Sequence, residues 1–275
     1  STVTDTNDNG EDNDDNGIAM GFLGSTYAVM SPEFTLTPNT EPVAPAEGGQ
    51  GSAQDDADDD NGDMTQDFGF VQLLSIASFV WVDDNNNGQF DLGELPVNGV
   101  RIILRSPGPD GLRNTGDDFE INAGPDGLLG TADDAAGGTL TDANGVYFFG
   151  YLYPGDYYLE VPASNFAAGN ALAAYQLSST PTSLNDDQID NDDNGEQLAG
   201  AGTAILSPII SLRVGEEPTG EAGAGGDQDN TNDDNGDMTI DFGVIPAVSV
   251  GSQVFADLNN DGVFNTGDFG INGVE

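Results

Sequence analysis

The chain has 275 residues, with 49 Asp and Glu against 4 Lys and Arg, and a formal net charge of −45. Its cations are Arg101, Arg105, Arg113 and Arg213; lysine, histidine and cysteine are absent. That excludes disulfides, thiolate and imidazole metal sites and Schiff-base or imidazole catalysis. It also makes nucleic acid and anionic lipid poor partners, and leaves oxygen-ligand chemistry with hard cations.

The first residues already introduce the pattern that recurs. An acidic run at 7–17 contains DNDDNG (12–17), which returns at 190–195. DDNGDMTQDFGF (59–70) returns as DDNGDMTIDFGV (233–244), and SFVWVDDNNNGQF (78–90) as SQVFADLNNDGVF (252–264). These matches define a repeat of roughly 174 residues. Residues 1–70 read as the C-terminal part of one unit, 71–245 as a complete unit, and 246–275 as the N-terminal part of the next. The chain thus reads as a window on a longer tandem array. The short apolar junctions at 70–74 and 245–248 suit stiff end-to-end stacking. No apolar run approaches a membrane span and no basic segment precedes an apolar one, so neither membrane insertion nor a secretion signal is expected in this segment.

Through the complete unit, apolar residues alternate with period two: Val100, Ile102 and Leu104; Tyr147 and Phe149; Tyr157, Leu159 and Val161; Ile240 and Phe242. Asp142–Gly145 and Tyr153–Asp156 supply turns. The best helix candidate is the short stretch 166–175. The fold class is therefore all-β, an antiparallel sandwich. Trp81, Tyr147, Phe149 and Tyr157 read as core, and Tyr151, Tyr153 and Tyr158 as more exposed. Leu95–Gly99 mimics a sorting motif but reads as a loop-to-strand junction.

The acidic loops carry the chemistry. Asp83, Asn85, Asn87, Gln89 through its carbonyl, Asp91 and Glu94 occupy positions 1, 3, 5, 7, 9 and 12 of a calcium-loop template, with Gly88 at 6. The repeat supplies Asp257, Asn259, Asp261, Val263 through its carbonyl, Asn265 and Asp268 at the same spacing. A second pattern occurs twice, sixteen residues apart: Asp110 with Asp117 and Asp118, then Asp126 with Asp133 and Asp134. A third class is the Asp/Asn runs, with candidate ligands Asp190 and Asp192, Asp12 and Asp14, Asp233, Asn235 and Asp237, and Asp59, Asn61 and Asp63. The alternative for each is a turn rich in Asx residues and without metal. Recurrence of the spacings favours several Ca2+ ions per repeat.

The segments FVWVDDNNNGQFDLGELPVNGVRIIL (79–104), TLTDANGVYFFGYLYPGDYYLEV (139–161) and MTIDFGV (238–244) resemble the B-type repeats of Gram-positive serine-aspartate repeat surface proteins. More broadly they resemble collagen-adhesin B-type, prealbumin-like domains. The resemblance implies tandem Ig-like sandwiches with calcium-binding loops, in secreted, extracellular or cell-surface rods. Two departures stand out. The loop between Leu104 and Thr139 is longer than usual, and without lysine no Lys–Asn isopeptide crosslink can form. The expected role is a non-catalytic structural stalk or fibre whose partners are neighbouring repeats and, at a further level, other copies. The alternatives are an adhesin module using exposed aromatics and an acidic halophilic surface domain without specific metal.

Overall fold

The period-two alternation becomes strands. The computed structural model describes residues 14–20, 28–42, 62–177, 189–221, 234–247 and 252–274. In chain order the first strands are β1 (Ile18–Met20), β2 (Ala28–Met30), β3 (Leu74–Val82), β4 (Leu95–Pro96), β5 (Arg101–Ser106), β6 (Phe119–Glu120), β7 (Thr139–Leu140) and β8 (Val146–Leu152). They are followed by β9 (Gly155–Val161), β10 (Tyr175–Leu177), β11 (Ile205–Leu206), β12 (Ile210–Leu212), β13 (Gly236–Asp237), β14 (Phe242–Pro246), β15 (Phe255–Ala256) and β16 (Phe269–Gly270). No α-helix occurs among the described residues. The stretch expected as a helix holds the end of a 3-10 turn, Ala163–Phe166, followed by turns through Gly169 at φ 92°.

Two sheets enclose one core. In the first, β3 is central: β8 pairs antiparallel with its first half and β4 with its second. β13 and β14 run parallel to β3, with Phe242 opposite Val80 and Val244 opposite Val82, and β10 flanks β14. In the second sheet β5 pairs with β9; β11 and β12 extend β9, and β6 and β7 extend β5. Leu74, Ile76 and Val80 from the first sheet meet Ile102, Leu104, Leu159 and Val161 from the second, all fully buried. Each such side chain contributes about 1.5–3 kcal/mol by leaving water.

The matching segment near residue 260 keeps the geometry of its counterpart. β15 pairs with β16 as Phe255 opposite Gly270 and Ala256 opposite Phe269, the register in which Trp81 meets Pro96 and Val82 meets Leu95. The amide of Ile271 donates to Val254 as that of Val97 does to Val80.

Candidate metal centre

The loop 83–94 is built by its own acidic side chains. Asp83 is fully buried at the end of β3. Its carboxylate accepts the amides of Asn87 (3.2 Å) and Gly88 (2.8 Å), which closes the first turn. Glu94 accepts the amides of Asp84 (3.0 Å) and Asp91 (2.9 Å), which closes the loop. The side-chain amides of Asn85 and Asn87 both donate to Asp91 Oδ2, at 2.9 and 2.8 Å. Positions 1, 5 and 12 are thereby fixed, and positions 3, 5 and 9 converge.

Loop 257–268 repeats this scaffold. Asp257 accepts Asp261 (3.2 Å) and Gly262 (2.7 Å), and Asp268 accepts Leu258 (3.0 Å) and Asn265 (3.0 Å). The Val263 amide bonds Asp261 Oδ1 as Gln89 bonds Asn87 Oδ1, both at 2.9 Å. Amide donors from Gly262 and Val263 respectively hold the carboxyls of Asp257 and Asp261 below their ordinary range. The donor set fits a hard cation. It is all oxygen, and a half-turn of the Asn85 amide would exchange its NH2 group for a carbonyl oxygen at the point where it now meets Asp91.

The acidic run 190–195 does something the sequence reading missed. It threads between loop 83–94 and the approach to β14. The Phe90 amide donates to Asn191 O (2.9 Å) and the Asp193 amide to Gly88 O (3.0 Å). Asp193 accepts the amides of Gly195 (3.0 Å) and Gly243 (3.1 Å), while Asn194 Oδ1 accepts that of Asp241 (2.7 Å). The N-terminal partial unit makes the same clasp. There Asp15 accepts Gly17 (3.0 Å) and Gly69 (2.9 Å), and Asn16 Oδ1 accepts Asp67 (2.8 Å). Asp63 and Asp237 each cap a Thr two residues on, through its amide and hydroxyl. The available signal was the joint return of Asp-Asn-Gly and Asp-Phe-Gly in both copies.

Asp241 is buried behind this clasp. Its carboxyl accepts the Ser78 hydroxyl and the amides of Phe79 (3.5 Å) and Asn191 (2.8 Å). Burial pushes it well above the usual carboxylate range and the nearby Asp190 adds to that, against the pull of those donors. Of the other candidates in this class, Asp190 accepts from the Asn191 side chain (2.5 Å), Asp192 bridges Gln89, and Asn235 donates to Asp234 (3.0 Å). Asp14 is partly buried. Asp12, Asp59, Asn61 and Asp233 lie outside the described residues.

The two insertion motifs fold alike. Gly108 and Gly124, at φ 66° and 67°, leave no room for a Cβ against the carbonyls of Asp117 and Asp133. Asp110 and Asp126 accept the Leu112 and Leu128 amides at 2.8 and 2.9 Å. Thr115 and Thr131 donate to Asp117 and Asp133 at 2.7 Å, and these hydroxyls hold both carboxyls below their ordinary range. Among the described residues, only Asp110, Asp117 and Asp118 bring three carboxylates within 4.8 Å of one another, a cluster that could hold a metal ion. The copy at Asp126, Asp133 and Asp134 does not close to that distance.

Three of the four arginines anchor this insertion. Arg101 donates to Gly137 O, and Arg113 to Ser207 O, Leu206 O and Glu196. Arg105 pairs with Glu160 (3.1 Å) and donates to the Tyr158 hydroxyl (2.9 Å), which donates on to Asp118 (2.7 Å). Burial works against ionisation of Asp118, but the Tyr158 and Thr115 donors outweigh it and its carboxyl sits low. Tyr158 is thus buried, contrary to its expected exposure, because the insertion covers the outer face of β9. Trp81, Tyr147, Phe149 and Tyr157 are buried as expected. Trp81 stacks with Phe79 and, through loop 83–94, with Phe90.

No protein-family model matches the chain. Its sequence is similar to serine-aspartate repeat-containing protein F of Staphylococcus epidermidis, at 26% identity over 215 residues (77% of this chain, 9% of the relative). The protein of that name from strain ATCC 12228 is 28% identical over 241 residues, covering 82% of this chain and 11% of the relative. Colossin-A of Dictyostelium discoideum is 26% identical over 198 residues, or 71% of this chain and 1% of the relative. The chain thus spans a small fraction of these relatives' lengths. The crystal structure of GBS52, the minor pilin of Streptococcus agalactiae, aligns over 67% of this chain and 49% of its own, at 13% identity and a TM-score of 0.33.

Proposed function

We propose that the chain is a non-catalytic, calcium-stiffened tandem-repeat segment of an extracellular stalk or fibre on a bacterial surface, with units at 1–70, 71–245 and 246–275. The observation that supports this is the shared hydrogen-bond scaffold of loops 83–94 and 257–268. Two loops of different sequence hold their template positions through the same backbone donors. The distant relationship to serine-aspartate repeat protein F points the same way, and the lack of His, Lys and Cys removes most catalytic nucleophiles and bases.

In this reading Asp83, Asn85, Asn87, the Gln89 carbonyl, Asp91 and Glu94 hold one ion. Asp257, Asn259, Asp261, the Val263 carbonyl, Asn265 and Asp268 hold another. Asp110, Asp117 and Asp118 hold a third. Calcium would supply charge compensation and a shared ligand shell. The protein's part is to hold Asp83 and Glu94 in place beforehand, so that little ordering remains to be done on binding. Extracellular modules bind at about 10⁻⁴–10⁻³ M, and a tenfold excess over that constant stabilises by about 1.4 kcal/mol per site.

The test is calorimetric titration of the chelator-stripped chain with Ca2+, alongside thermal unfolding. Saturable binding with a rise in melting temperature is expected, weakened by Asp91→Ala. Superimposable thermograms in calcium and in chelator would overturn the reading.

A further inference from the structure

We infer that the cleft between Arg101 and the turns after β9 binds a hexuronate residue of a polysaccharide, with the uronate carboxylate on the Arg101 guanidinium. Arg105, Arg113 and Arg213 each form an ion pair, with Glu160, Glu196 and Asp156 respectively. Arg101 does not. Among the described residues its guanidinium makes a single hydrogen bond, from Nη1 to Gly137 O. Glu120, on the β6 strand that pairs with β5, is engaged elsewhere and accepts the Gly137 amide. In a chain with 49 carboxylates, this guanidinium keeps Nε and Nη2 uncommitted, the edge that meets a carboxylate in two parallel bonds.

The backbone at Arg101 is held from two directions. β7 pairs with it through Leu140, while the buried side chain of Asn165 accepts its amide and donates to its carbonyl, both at 2.9 Å. Strand alternation turns the Arg101 side chain away from the core that Val100 and Ile102 enter. It lines a cavity of about 400 Å3 together with Asn98, Leu140, Ser164 and Asn170, and no carboxylate is among the lining residues. A second cavity, beside Arg105, includes Asp118 and Glu160, which would repel an anion. Ligand clefts run from about 300 to 1,000 Å3, so the volume at Arg101 suits one sugar ring with its substituents.

The lining selects a ring rich in hydroxyls. Leu140 lies beside Arg101 and is 51% exposed, an apolar surface for the C–H face of a pyranose. Asn170 donates to Ser164 O at 2.7 Å, which leaves its own carbonyl oxygen to accept from a sugar hydroxyl. The Asn98 amide and the Ser164 hydroxyl add further donors and acceptors. One cation among neutral hydrogen-bonding groups matches one carboxylate among hydroxyls. An acidic peptide or an uninterrupted polyuronate would meet the charge of −45 on the rest of the chain. The uronate is therefore carried singly, between neutral sugars.

The experiment is an NMR titration of the isotope-labelled chain, in chelator, with the methyl glycosides of glucuronic and galacturonic acid. Chelator removes calcium that could bridge a carboxylate to the acidic loops, so this inference and the calcium reading fail independently. Saturable shifts of the Arg101 Nε–H and of the Asn98 and Asn170 side-chain amides are expected with at least one uronide. Arg101→Gln should weaken binding about tenfold or more. Asn98→Ala alters an exposed side chain, leaves the Gly137 bond alone and should weaken binding about threefold. Arg213→Gln should bind as wild type does. Absence of shifts with both uronides would overturn the inference, as would binding that Arg101→Gln leaves unchanged. Equal affinity for methyl glucoside would remove the carboxylate from the recognition, and equal affinity for N-acetylglutamate would remove the sugar; either result overturns it.

Discussion

The carboxylate of Asp193 accepts the backbone amide of Gly243 at 3.1 Å, joining segments fifty residues apart in the chain. Asp15 holds Gly69 in the same way at 2.9 Å. An acidic residue in a run of acids is thus part of the strand framework.

Asp193→Ala would leave the amides of Gly195 and Gly243 without their acceptor in a buried site. The expected loss is about 2–4 kcal/mol. Urea unfolding should show the same loss in calcium and in chelator. A loss confined to calcium would instead make Asp193 an ion ligand.

Gly243→Ala would push a Cβ to 2.8 Å from the Trp81 ring. Overpacking of this kind costs about 1–3 kcal/mol, and because Trp81 is the single tryptophan, its emission reports the strain directly. Gly69→Ala should be milder, since its nearest neighbours are side-chain atoms of Asp15 at 3.3 Å.

Tyr158→Phe keeps the ring and removes both the bond accepted from Arg105 and the one donated to Asp118. About 1–2 kcal/mol should be lost, at the lower end for bonds to charged groups because these partners are partly exposed. Limited proteolysis should become faster within 107–136, while the sandwich strands stay protected.

Asp156 accepts from Arg213 at 2.7 Å and from Ser211 at 2.9 Å, linking β9 to β12. The Arg213 bond holds its carboxyl below the ordinary 3.8. A carboxyl depressed in the folded state stabilises above its unfolded value, and the contribution disappears as pH falls through the folded value. With both side chains more than 40% exposed, Asp156→Asn should cost under about 1 kcal/mol at neutral pH. Wild type and variant should converge in strong acid; a gap that persists there would assign the effect to something other than this pair.

The strands were legible because Val100, Ile102, Leu104 and Tyr157, Leu159, Val161 alternate and one face is buried. The shared scaffold of the two twelve-residue loops was legible because the spacing of Asp83 to Glu94 recurs at Asp257 to Asp268. The clasp was not. A side chain bonding a backbone amide fifty residues away imposes no period on the sequence, and Asp193 sits among acids that look interchangeable. Tyr158 was misjudged for a related reason. Strand alternation sends it away from Tyr157, and only the insertion, held by Arg101, Arg105 and Arg113, covers that outer face.

The parallel pairing of β3 and β14 has a mechanical consequence. β3 starts at one end of the sandwich and β14, parallel to it, finishes at the other, β3 alone spanning about 30 Å. In the proposed tandem arrangement, tension between neighbouring units slides β14 along β3. The ladder bonds beside Val80, Trp81 and Val82 share that load in shear and cannot be peeled one at a time, so the unit resists extension along the direction in which an array would be pulled.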